Sequence, residues 1–354
     1  MSKSVFINRI GCAVPAHDVH RKFLDFVPRL LTSGRERRLF ERMVERSRIE
    51  HRYSCLAPGS AQDDVDADGF YRRGAFPDTR QRMERYEREA LPLACGAVAD
   101  LGLGLGDEAV THLIVASCTG FFAPGLDLQL MEHLGLPSTV ERTIVGFMGC
   151  YAAMPALKLA RHIVRSDPAA RVLVVALELC TLHLQESDSL DELLSFLIFG
   201  DGCAAALVSA EPSGVEVNAF AAAIFPETTD HITWRIGALG FGMHLSGRIP
   251  SAILCGLPAQ LGFLLSGTER QNVALWAIHP GGRTILDAVE EGLGLEPDAL
   301  TDSRRILRDF GNMSSASVLF VLRDMMDRGA AGQGCSMAFG PGVAVEAMTF
   351  SRPQ

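Results

Sequence analysis

The chain has 354 residues, 48% hydrophobic and 21% charged, with a mean hydropathy of +0.17, a composition that excludes a disordered polymer and suits two domains or one large α/β unit. Its net charge of -9 speaks against nucleic acid as a partner, because neutralising phosphates takes a concentrated basic surface. The opening MSKSVFINRIG has no apolar targeting core and no uninterrupted apolar run nears about 18 residues, so a cytoplasmic protein without a membrane span is expected.

Arginines crowd one early stretch: Arg29, Arg35, Arg37, Arg38, Arg42, Arg46, Arg48 and Arg52. A basic patch on an acidic chain suits a small anionic ligand, although a solvated helix face has the same look. Residues 56–88 are polar and rich in Asp and Arg, which reads as an irregular surface excursion. The segments 111–117, 171–177 and 273–278 are short Val, Ile and Leu runs bounded by turn residues, and they predict buried strands. Residues 203–209 and 336–350 read as further strands. Residues 152–165 and 315–328 carry apolar positions at steps of three and four, and they predict helices. Strands alternating with helices argue for an α/β fold. GFMGC at 146–150 and DFGN at 309–312 both lead into a helix, which hints at two related halves. The polar AEPSG at 210–214 is the best boundary, giving halves 1–210 and 211–354.

Nine cysteines are irregularly spaced without a CxxC pair, so neither a zinc site nor a disulfide framework is signalled, and no metal is expected. Cys150 stands apart because it follows Gly146-Phe147-Met148-Gly149. Glycine permits a sharp strand-to-helix turn, and the positive end of the following helix would favour thiolate. A small buried hydrophobe is the competing reading. His279, before Pro280-Gly281-Gly282, closes an apolar strand, where α/β folds place reacting groups. Asn312 has the position of a helix N-cap, yet its amide can also donate to an oxyanion, as can a His Nε2–H. A thiolate with two such donors suits acyl transfer from a thioester.

GFMGCYAAMPALKLAR, LIFGDGCAAALV, WAIHPGGRTILDAVE, FGNMSSASVLFVLRDMM and FGPGVAVE occur in that order. Together they resemble the signature blocks of the type III polyketide synthases, the chalcone synthase-like family, and of its bacterial members in particular. The resemblance implies a thiolase fold, an αβαβα five-layered sandwich of two similar halves, assembled as a homodimer. It implies that Cys150 carries the acyl-CoA starter and the growing polyketide. His279 would hold the thiolate and, with Asn312, bind malonyl-CoA through decarboxylation. CoA thioesters would be substrates, and no cofactor would be needed. Phe199 would be a gatekeeper, with Met243 where the second gatekeeper aromatic usually lies. Cys118, Thr119, Ala123, His183, Ser314, Gly340 and Pro341 would shape the cavity, with Thr181 and Gln185 beside His183. Ala123 replaces a larger residue, which would open room for a long fatty acyl starter and yield alkylpyrones or alkylresorcinols. Arg42 and Arg46 fall on CoA phosphate-binding positions; the third falls on Leu39, with Arg38 adjoining. The competing functions are a ketoacyl-ACP synthase III-like single condensation and an acyl-CoA thioesterase.

Overall fold

The computed structural model describes residues 4–61, 64–103 and 109–353. Its strands are β1 (Phe6–Ala13), β2 (His17–Asp18), β3 (Tyr53–Ser54), β4 (His112–Ser117), β5 (Glu141–Gly146), β6 (Val172–Leu179), β7 (Asp201–Ser209), β8 (Val215–Ile224), β9 (Ile232–Gly237), β10 (Gly240–Leu245), β11 (Leu275–Ile278), β12 (Gly332–Gly340) and β13 (Ala344–Arg352). The helices are α1 (His20–Phe26), α2 (Gly34–Ser47), α3 (Thr79–Leu101), α4 (Leu126–Leu134), α5 (Ala153–Ser166), α6 (Leu190–Leu197), α7 (Ile249–Leu264), α8 (Arg283–Leu293), α9 (Thr301–Phe310) and α10 (Ser317–Asp327).

Nine strands form one mixed sheet in the order β11-β12-β13-β8-β1-β7-β6-β4-β5. Among the described residues its two parts meet at a narrow seam, where β1 pairs with β8 at Phe6–Glu216 and Ile7–Val215 and Val217 N–H donates to Val5 O at 2.8 Å. Side chains alternate across each strand, so one strand serves two cores. On β6, Val172, Val174 and Ala176 join a central core with α5 and α10. Leu173, Val175, Leu177 and Leu179 face the opposite way, into an outer core with α3 and α4. Across the seam, residues of β11, β12 and β13 pack against α7 and α8 in a third core. Outer helices, sheet, central helices, sheet and outer helices make the five layers of the thiolase fold.

The expected strands and the helices at 152–165 and 315–328 are present. Two segments differ from expectation. Residues 336–350 are two antiparallel strands, β12 and β13, reversed over Pro341–Val343, where Gly342 has φ +71°. The surface excursion ends earlier than its polarity suggested. Asp78 accepts from the Gln81 N–H and Gln81 answers to the Asp78 backbone, a capping box that starts α3 at Thr79. At the far edge β5 is largely exposed, with Ile144 at 48%. Among the described residues no helix is long and apolar enough to cross a membrane.

Candidate active site

Cys150 sits in a short 3-10 turn, Gly149–Tyr151, between β5 and α5. Gly149 has φ +74°, and a Cβ there would lie 2.5 Å from Pro341 Cδ. Both the turn and the approach of the Phe339–Gly342 loop therefore require glycine. Reciprocally, a Cβ on Gly340 would meet the Tyr151 ring at 2.5 Å. The thiol is packed between two loops, one from each half of the chain.

His279 ends β11, its N–H donating to Met337 O at 2.8 Å. The side chain is fully buried, and neither ring nitrogen has a hydrogen-bond partner among the described residues. Asn312 is stitched to the segment around Phe199: its N–H donates to Ile198 O at 2.7 Å, and Gly200 N–H donates to Asn312 O at 3.0 Å. Its amide oxygen accepts from Ser314 N–H at 2.8 Å, which fixes the amide orientation. The Nδ2 group reaches Gly281 O at 3.4 Å and also hydrogen-bonds the Cys150 thiol. Ser314, a non-glycine residue at φ +47°, bonds the same sulfur.

Burial pushes the Cys150 thiol up from 9.0 to about 11, opposed by the Ser314 and Asn312 hydrogen bonds. Burial alone lowers His279 to about 3. Loss of hydration thus works against the thiolate that a helix terminus favours. Cys150 keeps its proton and His279, on the wall of the same cavity, lacks one, so a proton moved from the first to the second would make an ion pair. The resulting pair is neutral as a whole, and each charge relieves the other's desolvation.

Cys150, His279, Asn312, Phe199, Met243, Cys118, Ser314, Gly340, Pro341 and Arg46 line one cavity of about 400 Å³. Thr119, Ala123, His183, Arg38 and Arg42 are not on its wall. His183 lies behind it, fully buried and stacked on Phe241 at 4.3 Å. Its Nε2–H donates to Thr119 O at 2.7 Å while Nδ1 accepts from Phe241 N–H at 3.1 Å, and burial lowers its pKa to about 3. Its place is that of a neutral brace. Thr119 is tied to Glu178 and Leu179. Thr181 bonds Asp201, and Gln185 bonds the carbonyls of His183 and Phe241. Arg38, Arg42 and Arg46 are spaced four residues apart on exposed α2, one stripe leading to the cavity. Arg283 stands beside Arg46 on the same wall and donates to its carbonyl at 3.2 Å.

Two residues of the site escaped the sequence reading. Glu178 is fully buried and accepts from Cys118 N–H at 3.0 Å, Thr119 Oγ1 at 2.8 Å and Ser315 Oγ at 2.6 Å. Burial raises its pKa against these bonds, and its charge helps hold the Cys150 thiol protonated. A lone carboxylate within the apolar run VLVVALEL was the available signal. Trp234 lies on the cavity wall opposite Met243 in the β9–β10 ladder, its indole N–H donating to Cys118 O at 2.7 Å.

Residues 3–212 match the model of the N-terminal domain of chalcone and stilbene synthases, and residues 216–352 that of the C-terminal domain. The α-pyrone synthesis polyketide synthase-like Pks18 of Mycobacterium tuberculosis is 35% identical over 341 residues, covering 92% of this chain and 85% of its own length. Among solved structures, PKS-I from the brown alga Ectocarpus siliculosus superposes with a TM-score of 0.87 at 29% identity, covering 99% of both chains. The C-terminal type III polyketide synthase domain of Steely1 from Dictyostelium gives 0.89 at 26%, covering 99% of this chain and 100% of that one.

Proposed function

The chain belongs to the chalcone and stilbene synthase family and is a type III polyketide synthase, a decarboxylative condensing acyltransferase, and from that premise we propose that Cys150 is its nucleophile and His279 and Asn312 its polar catalytic pair. The observation that carries this assignment is the convergence of the three residues on one cavity, where the imidazole has no hydrogen-bond partner among the described residues. His279 has no competing hydrogen-bond partner among the described residues, and Asn312 has its oxygen committed elsewhere, so its NH₂ faces the sulfur.

In this scheme the proton passes from Cys150 to His279, and the thiolate attacks the starter thioester, expelling CoA. With the acyl group on sulfur, His279 and Asn312 donate to the malonyl thioester oxygen. Carbon dioxide leaves, the enolate oxygen takes up the developing charge, and the enolate carbon attacks the acyl-cysteine carbonyl, breaking its C–S bond so that the Cys150 thiolate is released and the extended chain stays on CoA. Each donor of this kind typically contributes about 3 kcal/mol to such a step. The scheme needs no metal or organic cofactor. The arginine stripe 38–42–46 with Arg283 is placed to receive the CoA phosphates. Exposed Ile144 and Phe121 near the open β5 edge favour a homodimer through that face. The chain-half roles, with the nucleophile in 1–210 and the pair in 211–354, and a cytoplasmic location belong to the same proposal.

The proposed starter is a fatty acyl group, extended by two or three malonyl units and closed to an alkylpyrone or alkylresorcinol. The name of the mycobacterial relative, which specifies α-pyrone synthesis, supports the pyrone closure. A second reading, a shorter starter, is favoured by Trp234 on the wall and by Ala123 off it. Incubation with malonyl-CoA and a graded series of acyl-CoA starters, with products identified by mass, separates the two. In the same assay Cys150→Ala is expected to abolish polyketide formation while slow malonyl-CoA decarboxylation persists through His279 and Asn312. Full-length product from that variant would overturn the nucleophile.

A further inference from the structure

A second cavity, of about 60 Å³, lies between the early excursion and the body of the molecule. It shares one residue with the catalytic cavity, Phe199. Phe23, Phe26, Leu56, Val65 and Leu184 make its walls mostly apolar. Set among them is Arg52, only 2% exposed. Its Nε donates to His20 Nδ1 at 2.9 Å, and Nη1 donates to the carbonyls of Phe196 and Phe199 at 3.0 and 2.7 Å. The guanidinium carbon lies 4.5 Å from the centre of the Phe23 ring. Nη2 is buried and has no partner among the described residues.

Among the described residues no carboxylate touches the buried guanidinium; the charges of Asp18 and Asp201 act on it from further away and offset only part of the cost of burial. The one acidic residue on the wall, Asp66, does not fill that role: its oxygens accept from the N–H groups of Asp68, Phe70 and Tyr71. Lys22 also borders the cavity, adding positive charge, with its ammonium donating to Ala61 O at 2.6 Å. An apolar chamber with two cations, one carboxylate already committed to backbone N–H groups and one unmet donor is complementary to a small amphiphile with an anionic head.

We propose that this pocket is a binding site, separate from the catalytic cavity, for a short aliphatic carboxylate whose head bonds Arg52 Nη2. The volume sets the size. Since one water takes about 10–15 Å³ on this measure, the space holds a ligand of about four to six non-hydrogen atoms. Arg52 also holds the Phe199 carbonyl, so an occupant and the gatekeeper share a hydrogen-bonding group.

The test uses the full chain with Cys150 carboxamidomethylated, so that no turnover or acylation intervenes and a failure of the polyketide reading does not affect it. Butyrate and 1-butanol are titrated separately and followed by saturation-transfer NMR. Saturable butyrate binding is expected, at least about tenfold tighter than that of the alcohol. Val65→Trp, which fills this pocket from a partly exposed position and does not touch the catalytic cavity, is expected to abolish it. Arg52→Lys is expected to weaken it by about tenfold, since one ammonium does not replace the planar fork. No saturable binding, equal binding of acid and alcohol, or unchanged binding in Val65→Trp would each overturn the proposal and leave a pocket that holds only water.

Discussion

Cys150 and His279 are each held uncharged by burial, one near 11 and the other near 3. If the two ionise as a pair, alkylation of Cys150 by iodoacetamide should be appreciable and nearly flat around neutral pH. In His279→Ala the same rate should fall at pH 7 and climb only as pH approaches about 11; coincident profiles would exclude the pair. Stability carries the opposite signs at its two ends. The raised thiol contributes stability that is present below pH 9.0 and lost as pH rises through about 11. The depressed imidazole contributes stability that is present above pH 6.5 and lost as pH falls towards about 3. Trp234 makes a further prediction at this scale. Removing its indole from the wall in Trp234→Gly should shift kcat/KM towards longer starters by about tenfold or more, read in the graded series. That Cys150, His279 and Asn312 meet in one cavity could be anticipated because each stands at a glycine-containing turn, with no neighbour of its own type to compete. Glu178 and Trp234 were not legible. Their roles come from Cys118, about 60 and 116 positions away along the chain, and spacing along a sequence does not carry such contacts.

Among the elements, the buried strands and the two central helices could be read directly, since an all-apolar run or a strong three-and-four pattern survives any tertiary context. β5 could not, because its outward face, Glu141 to Ile144, is exposed and its sequence ERTIVG has little alternation. The start of α3 was hidden in a polar stretch, where the capping box was the legible sign that polarity obscured. The turn that presents Cys150 yields the prediction at this scale. Gly149→Ala puts a methyl 2.5 Å from Pro341 and forces a side chain into φ +74°. It should lower stability by about 1–3 kcal/mol in a denaturant titration and reduce condensation more than malonyl-CoA decarboxylation, because the displaced group is the sulfur rather than His279 or Asn312. Equal losses in both reactions would mean that the whole cavity had moved.

At the scale of the molecule, the five layers follow from strands that feed a core on each face, while the α/β alternation alone left their number open. The resemblance of the ordered motif blocks supplied that number. What no motif conveyed is how unequally the two parts are joined. Along the sheet they share two ladder pairs, Phe6–Glu216 and Ile7–Val215. In the middle layer, residues of α5 and α10 pack into one apolar core with both parts of the sheet.

That narrow seam makes the molecule a natural split enzyme. A chain break in the 210–214 turn would sever one covalent link and leave the helical interior intact. Fragments 1–210 and 211–354, co-expressed, should reassemble and recover condensing activity, whereas either fragment alone would present half of an interior to water and aggregate. Recovery of activity on mixing separately soluble fragments would instead mean that each part closes its own interior. The catalytic cavity would then be a joint formed on contact, with the backbone bridge between Phe199 and Asn312 knitting it.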